Sequence, residues 1–424
     1  MNQTNEIYKP FIKYVIICFV LLCSLRLFKL PLYFFQYRFD YIVHRFDDTR
    51  ISIRMGDPPN VAYKERIYEN YTLPHIYPVT LSGPKSLWDD ALFPHPDQQG
   101  IIKNETIEFF IMKDVYINRR GVLSDGKTTY VLSPECIPRI TEHQFASTLP
   151  YSTVVPIYDH VITAGHQYVG SYAHFTCDFL PVLFSMPQAI LDKSTIIFFG
   201  TQNYPFLQSF GFPLERLKAQ SLSFNSIRRS NFTFYNNFPM LNQGADFVFA
   251  RHLYTVLPCS CDIFKPALLD HLRVYFVEKL KLESKPFRYV IYNRKMKKRG
   301  IANFKEIYNA ITTEFPSYPW EKGRTTEGYL GPKGCIQYYH ETKFLFAVHG
   351  AVLANTIFMQ PGSVVCELMI ERWTPNFMFT SVETGKKYVM GRDEAIPHSI
   401  SKTNIVKTNV VLDLIAKGLT LIED

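Results

Sequence analysis

The sequence lacks the short motifs that assign a chain to several common classes of ligand-binding protein. It has no Gly-x-Gly-x-x-Gly turn, which an ordinary dinucleotide enzyme uses to approach a pyrophosphate. It has no Asp-x-Asp triplet, so this carboxylate pair for a divalent cation at a diphosphate is missing. The Cys259-Ser-Cys261 pair has no second pair of metal ligands, which argues against zinc. We therefore expect neither a bound metal nor a cofactor.

The chain also lacks a strong excess of one charge, internal repeats and low-complexity blocks. Its 46 Lys and Arg against 38 Asp and Glu give a formal net charge of +8, spread thinly over 424 residues. No nucleic-acid-binding motif accompanies these charges, so we expect no nucleic-acid partner. A hydrophobic fraction of 47% and a charged fraction of 20% are ordinary for a globular protein, and the length allows two domains.

The most informative stretch is a strand-turn-helix-strand pattern between residues 344 and 368. Residues 344–348 form an apolar run that suits a buried parallel strand, and the His349-Gly350 turn ends it. A helix is predicted over 351–358 and a second buried strand over 364–368. The turn then lies at the carboxyl edge of the sheet, where the N-terminus of the helix attracts a diphosphate. Glu367 lies along the same edge, near enough to accept hydrogen bonds from ribose hydroxyls. The alternative is an ordinary βαβ unit with a buried His and a strand-end Glu.

A second candidate region follows a strand predicted over 288–292. Five basic residues come directly after it, before a helix predicted over 303–315: Arg294, Lys295, Lys297, Lys298 and Arg299. Positive charge at the carboxyl end of a strand suits a bound diphosphate. The alternative is a solvated basic loop.

A third candidate region lies between residues 165 and 183. His174 and Asp178 are four positions apart, so they share one face of a predicted helix, beside apolar Phe175 and Phe179. Such a pair can act as a general base on an acceptor hydroxyl. The alternative is a local pairing of Asp178 with His174 that only stabilises the helix.

The remaining pattern predicts alternating strands and helices, which is typical of a parallel sheet. Strands are predicted over 107–116, 127–132, 194–200 and 246–257. Helices are predicted over 204–210, 266–282, 332–340 and 408–419, and the last of these could return to the first of the two domains.

Three segments resemble the family-61 glycosyltransferases. Residues 349–355, His-Gly-Ala-Val-Leu-Ala-Asn, and 361–368, Pro-Gly-Ser-Val-Val-Cys-Glu-Leu, are similar to the donor-site signature of that family, with departures at Val352 and Ala354. Residues 171–181 resemble its Asn-Tyr-x-His segment, with Ser171 in place of Asn. Arg294, Arg299 and Asn303 follow its pattern of two arginines and an asparagine.

The resemblance implies an α/β fold of two Rossmann-like lobes that face a cleft (GT-B type), with the acceptor on a lobe at 101–284 and the nucleotide on a lobe at 285–405. It implies an inverting, metal-independent transfer of GlcNAc or a pentose such as xylose from a UDP-sugar to a glycan or glycoprotein hydroxyl. The implied catalytic residues are Asp178 and His174. The implied nucleotide-sugar-binding residues are Arg294, Arg299, Asn303, His349, Gly350, Ala351, Asn355 and Glu367. A catalytically silent relative that binds glycan or nucleotide-sugar is the alternative.

The amino terminus predicts a membrane signal-anchor at the end of a short cytoplasmic tail, within residues 1–35. Residues 14–25 carry no charge, and the apolar stretch continues to 35 if Arg26 and Lys29 reach the far interface. A stem and the entry to the body are predicted over 36–100, and a C-terminal helix is predicted over 406–424. We expect a single-pass type II protein of the Golgi or endoplasmic reticulum with a lumenal body. Asn-x-Thr triplets at Asn70, Asn104 and Asn231 and six cysteines outside the anchor agree with that compartment.

Overall fold

The computed structural model of the chain describes residues 40–44, 52–54, 61–68, 77, 79–82, 107–118, 121–124, 128–131, 153–164, 168–198, 201–218, 247–257, 265–294, 300–324, 330–369, 376–393 and 404–423. The predicted anchor at 14–35, the three Asn-x-Thr triplets, Cys259, Cys261 and Arg299 lie outside these residues. No helix in the described ranges is long and apolar enough to cross a membrane.

The described part of the chain is a mixed α/β protein with two sheets. Its strands are β1 Asp40–His44, β2 Ser52–Arg54, β3 Val61–Tyr68, β4 Thr80–Leu81, β5 Ile107–Asn118, β6 Val122–Ser124, β7 Thr128–Val131, β8 Thr153–Thr163, β9 Thr195–Ile197, β10 Leu217–Lys218, β11 Phe247–Leu257, β12 Arg288–Tyr292, β13 Trp320–Lys322, β14 Thr342–Val348, β15 Val364–Met369 and β16 Lys387–Arg392. Its α-helices are α1 Tyr172–His174, α2 Leu180–Phe184, α3 Gln188–Lys193, α4 Tyr204–Ser209, α5 Pro266–Leu280, α6 Phe304–Glu314, α7 Gly331–His340, α8 Asn376–Glu383 and α9 Thr408–Glu423. A π-helix, Phe175–Phe179, joins α1 to α2, and 3-10 helices form Thr201–Asn203, Leu214–Arg216 and Ala351–Phe358.

The second sheet is entirely parallel and has the order β13-β12-β14-β15-β16-β4. Its central strands β14 and β15 are buried along almost their whole length, because helices cover both faces. One face packs on α6 and α9, and the other packs on α7, α8 and the 3-10 helix after β14. This double cover explains why both strands are continuous apolar runs in the sequence.

The C-terminal helix α9 packs on the second sheet, where the sequence allowed a return to the first lobe. Val411, Leu414 and Ile415 are fully buried against the strands β14, β15 and β16. The approach is close at Gly418, where an added Cβ would lie 2.4 Å from the Cys366 sulfur. Only a residue without a side chain permits this distance between helix and sheet.

The first sheet is mixed, whereas the alternation of strands and helices predicted a parallel sheet. Its order is β10-β9-β8-β11-β5-β6-β7-β2, with β1 paired to β8 and β3 paired to β5. The strands β8, β9, β10 and β11 are parallel neighbours, but β5 runs antiparallel to β11, β3 and β6. Only three residues separate β5 from β6, and short connections join antiparallel strands.

Strands from the segment predicted as a stem belong to both sheets. β1, β2 and β3 pair within the first sheet, and β4 lies beside β16 at the edge of the second. The segment 36–100, expected to hold a stem and the entry to the body, therefore contributes strands to both sheets.

One hydrophobic cluster extends from the first sheet to the second. It includes Phe175, Phe179 and Phe276 from helices of the first half and Leu345 and Phe358 from the second half. Phe276 on α5 meets Phe358 edge to face, with ring centroids 5.7 Å apart. This shared core fixes the helix of the third candidate region against the turn of the first.

Candidate functional site

The second sheet has a topological switch point between β12 and β14. Numbered 1 to 5 along the chain, the strands β12 to β16 lie in the order 2-1-3-4-5 across the sheet. The connection from β12 to β13 therefore runs to one side of this point, and the connections to β14 and beyond run to the other. Open parallel sheets bind ligands outside the carboxyl ends of the strands at such a point. β12 ends at Tyr292 and β14 ends at Val348, with Tyr292 paired to Ala347. Arg294 and the His349-Gly350 turn therefore follow the two strands that flank the switch point.

Arg294 lies directly on the turn after β14. A Cβ added to Gly350 would come within 2.9 Å of the Arg294 Nη1 atom and 3.7 Å of its Cδ. The absence of a side chain at residue 350 is therefore what lets the guanidinium approach the backbone. Two positive features thus come together: a guanidinium charge and the start of the 3-10 helix Ala351–Phe358.

Asn293 closes the base of the basic loop that begins with Arg294. Its side-chain amide donates to the Ile301 carbonyl at 2.9 Å, and its amide oxygen accepts from the Ile301 N–H at 2.9 Å. The two ends of the loop are thereby held together just beyond β12. The loop residues 295–299, including Arg299, lie outside the described residues.

His349 is held by a buried carboxylate. Its Nδ1 lies 2.5 Å from Glu367 Oε1, and the two side chains are 6% and 1% exposed. The Tyr388 hydroxyl, from β16, donates to the other oxygen of Glu367. The backbone N–H of His349 donates to the Leu368 carbonyl at 3.0 Å, and its ring lies 5.3 Å from the ring of Phe377. His349 is thus fixed on three sides.

The structure gives Glu367 two protein partners in place of the ribose hydroxyls expected from the sequence. Glu367 is buried, and each of its oxygens is bound by a protein donor. In this structure its side chain acts on His349.

The helix predicted after the turn is a 3-10 helix, and its interior is buried. The Asn355 amide donates to the Val352 carbonyl at 2.8 Å, and its oxygen accepts from the Tyr172 hydroxyl at 2.6 Å. Asn355 is 3% exposed, and its side chain makes these contacts within the protein. Gly350 and Ala351 lie at the turn itself.

The Tyr172–Asn355 hydrogen bond joins the two halves of the site. Tyr172 opens the helix that carries His174, and Asn355 belongs to the helix that follows His349. Burial raises the pKa of Tyr172 well above its ordinary value, and the nearby Cys335 adds to this effect. The Tyr172 hydroxyl therefore stays protonated and remains a donor to Asn355.

His174 and Asp178 form a pair across one turn of a widened helix. His174 Nδ1 lies 2.8 Å from Asp178 Oδ2. His174 is the N-cap of the π-helix Phe175–Phe179, and Pro181, which has no N–H to continue the α-helical ladder, follows two residues after its end. Phe175 and Phe179 point the other way and stack in the core at 5.5 Å between ring centroids.

Exposure separates the roles of the two residues. The His174 side chain is 21% exposed, whereas that of Asp178 is 2% exposed. The Tyr168 ring lies 5.5 Å from the His174 ring and limits its movement. The arrangement therefore presents the imidazole outward, with the carboxylate behind it.

Asn303 is a structural residue. Its amide donates to the Val406 carbonyl at 2.9 Å, and its oxygen accepts from the Val406 N–H at 3.1 Å. Both groups of the side chain are occupied by one backbone unit, so Asn303 fastens the segment before α9 to the start of α6. The nucleotide-sugar contact expected of Asn303 from the sequence is thus replaced, in this structure, by a contact with the backbone.

Three side chains of the site were missed by reasoning from sequence: Tyr388, Asn293 and Tyr172. Tyr388 lies 21 positions after Glu367, on another strand, and no local pattern links them. Asn293 follows a predicted strand and precedes Arg294, and Tyr172 lies at the start of the predicted helix that carries His174. These positions in the sequence were the signal that could have identified both residues.

The described structure thus defines an α/β protein with a cationic ligand site at a strand switch point, beside a helix that carries a His–carboxylate pair. Residues 172–366, which include both regions, match the family model described as Glycosyltransferase 61. This match confirms the resemblance drawn from the motifs, and a glycosyltransferase 61 domain over these residues supports a glycosyltransferase. A search of curated proteins found no match.

Proposed function

We propose that the protein is an inverting, metal-independent glycosyltransferase that moves one sugar from a UDP-sugar to a hydroxyl of a glycan or glycoprotein. The observation that carries the proposal is the contact of Arg294 with the Gly350 turn at the switch point of the second sheet. A site of this kind suits a diphosphate, because a guanidinium and backbone N–H groups converge where the negative charge would lie.

On the donor side, Arg294 and the start of the 3-10 helix bind the diphosphate and stabilise its charge as it leaves. Arg299 belongs to the same basic loop and is proposed to assist. These groups replace the divalent cation that a carboxylate pair would otherwise hold. The transferred sugar is proposed to be GlcNAc or a pentose such as xylose.

On the acceptor side, His174 is the proposed general base and Asp178 orients it. The acceptor oxygen attacks the anomeric carbon, the bond from that carbon to the diphosphate oxygen breaks, and the hydroxyl proton passes to His174. Because Asp178 holds Nδ1, the proton arrives at Nε2. A single displacement from the opposite side inverts the anomeric centre.

The wider setting is also part of the proposal. The two sheets correspond to the two Rossmann-like lobes of a GT-B arrangement, with donor and acceptor on different lobes. Residues 14–35 would anchor the body in the membrane of the Golgi or endoplasmic reticulum, with the body in the lumen.

The test is titration of UDP into the purified body by calorimetry, with and without a chelator, followed by a panel of UDP-sugars assayed for hydrolysis. We expect binding that the chelator does not change and hydrolysis of one or two donors. Loss of binding in the chelator would contradict the metal-independent site. Binding of a UDP-sugar without hydrolysis or transfer to any glycan acceptor would instead indicate a catalytically silent relative.

A further inference from the structure

Glu367 is a buried carboxylate whose two oxygens are bound by two different donors. His349 Nδ1 approaches Oε1 at 2.5 Å, and the Tyr388 hydroxyl binds Oε2. Glu367 is 1% exposed and Tyr388 is fully buried. A carboxylate buried this deeply is costly unless both oxygens are satisfied, so the two hydrogen bonds depend on each other.

Tyr388 is a donor throughout the physiological pH range. Burial, and then the negative charge of Glu367, raise the pKa of its phenol well above the ordinary value. A protonated phenol beside a carboxylate oxygen donates to it, and this leaves Oε1 as the atom that faces His349.

The contact with Oε1 decides which nitrogen of His349 carries a proton. A carboxylate accepts, so Nδ1 of His349 must donate. The two ring nitrogens lie on different edges of the imidazole, so Nε2 is directed away from Glu367. In metal and acid–base sites a carboxylate behind one nitrogen sets the tautomer and orientation of the other in the same way.

We propose that Tyr388 is a positioning residue of the donor site: through Glu367 it holds His349 with Nδ1 protonated, so that Nε2 carries no proton and accepts a hydrogen bond from a hydroxyl of the bound nucleotide. This inference rests on the proposed function. Tyr388 lies beyond the segment 172–366 that matches the family, on a neighbouring strand that only the parallel sheet brings to Glu367.

The experiment combines Tyr388→Phe with a matched control, Tyr339→Phe. Tyr339 is also fully buried, but its hydroxyl donates to the Arg324 carbonyl at 3.2 Å and not to the His349 pair. The full chain is labelled with ¹⁵N-histidine, the His349 signals are assigned with His349→Gln, and UDP is the probe ligand.

In the wild type we expect ¹⁵N shifts of a protonated Nδ1 before UDP is added. In Tyr388→Phe the two tautomers should mix, and UDP affinity should fall about three- to tenfold, the effect of one net hydrogen bond. Tyr339→Phe should leave both the His349 shifts and the UDP affinity unchanged.

Two outcomes overturn the inference. One is a wild-type His349 with Nδ1 unprotonated, which is decisive even if Tyr388→Phe fails to fold. The other is a folded Tyr388→Phe variant that matches Tyr339→Phe in ¹⁵N shifts and UDP affinity. Failure of the wild type to bind UDP would refute the proposed function, while the tautomer measured without UDP would still decide the positioning role.

Discussion

Two His–carboxylate pairs stand on the two sides of the site, and they differ in spacing and burial. His174 and Asp178 are four positions apart on one helix, with 21% and 2% of their side chains exposed. His349 and Glu367 are 18 positions apart, one directly after β14 and the other on its parallel neighbour β15, with 6% and 1% exposed. In both pairs Nδ1 of the imidazole faces the carboxylate, at 2.8 Å and 2.5 Å.

The difference in exposure indicates that the two His–carboxylate pairs have different functional roles. A partly exposed imidazole backed by a carboxylate can exchange a proton with an acceptor that comes and goes. A buried imidazole supported by a carboxylate and a phenol is instead a fixed electrostatic element, since its orientation is set before any ligand arrives. We therefore expect disruption of the first pair to affect turnover and disruption of the second to affect stability and donor binding.

The largest expected effect is on catalysis by the exposed pair. Asp178→Asn keeps size and hydrogen-bonding capacity but removes the charge that orients and supports His174, so kcat should fall by about 10²- to 10⁴-fold. His174→Ala should lose a similar factor, and UDP affinity should stay near the wild-type value in both. The measurement is transfer kinetics alongside UDP calorimetry. Near-normal turnover in both variants would make the pair a purely structural contact of the helix.

The next effect concerns stability and separates the buried pair from the exposed one. Glu367→Ala removes one partner of a buried pair and also leaves the Tyr388 hydroxyl without its acceptor, which should cost about 3–5 kcal/mol of unfolding free energy. Asp178→Asn should cost clearly less, because His174 keeps contact with water. Urea unfolding of both variants checks this. Equal losses would show that burial does not distinguish the two pairs.

A smaller effect is expected at the residue that contacts the His349-Gly350 turn. Arg294→Ala should weaken UDP binding by about 1.5–3 kcal/mol, the range for a hydrogen bond to a charged group. Asn303→Ala is the matched control, because Asn303 also follows residues 295–299 but its side chain bonds the Val406 backbone. It should cost about 1 kcal/mol of stability with little change in UDP affinity. Equal UDP affinities in the two variants would refute the donor site.

The buried strands of the second sheet were predictable because they are continuous apolar runs. The strand predicted at 344–348 is observed as Thr342–Val348, and the one predicted at 364–368 as Val364–Met369. The helix predicted at 303–315 is observed as Phe304–Glu314. Each of these segments is covered by other elements, and the apolar pattern along the chain records that cover directly.

The antiparallel position of β5 and the roles of Glu367, Asn303 and Asn355 were not predictable in this way. Glu367 and Asn355 sit in motif positions that suit a ligand, yet Tyr388 and Tyr172 occupy them. Asn303 bonds Val406, which lies 103 positions away. Such partners are brought near by sheet order and helix packing, and no local pattern of the chain contains them.

The sequence by itself determined the local elements and the His174–Asp178 pair, because residues four apart on a helix share a face wherever that helix lies. It also determined that Arg294 and His349 follow strands. Only the tertiary structure decided that these two strands flank the switch point and that His349 is held through Glu367 by Tyr388. The physical reason is that contacts between separate strands depend on the order of the strands in the sheet. That order is set by the packing of helices on both faces of the sheet, which involves the whole chain and no single segment.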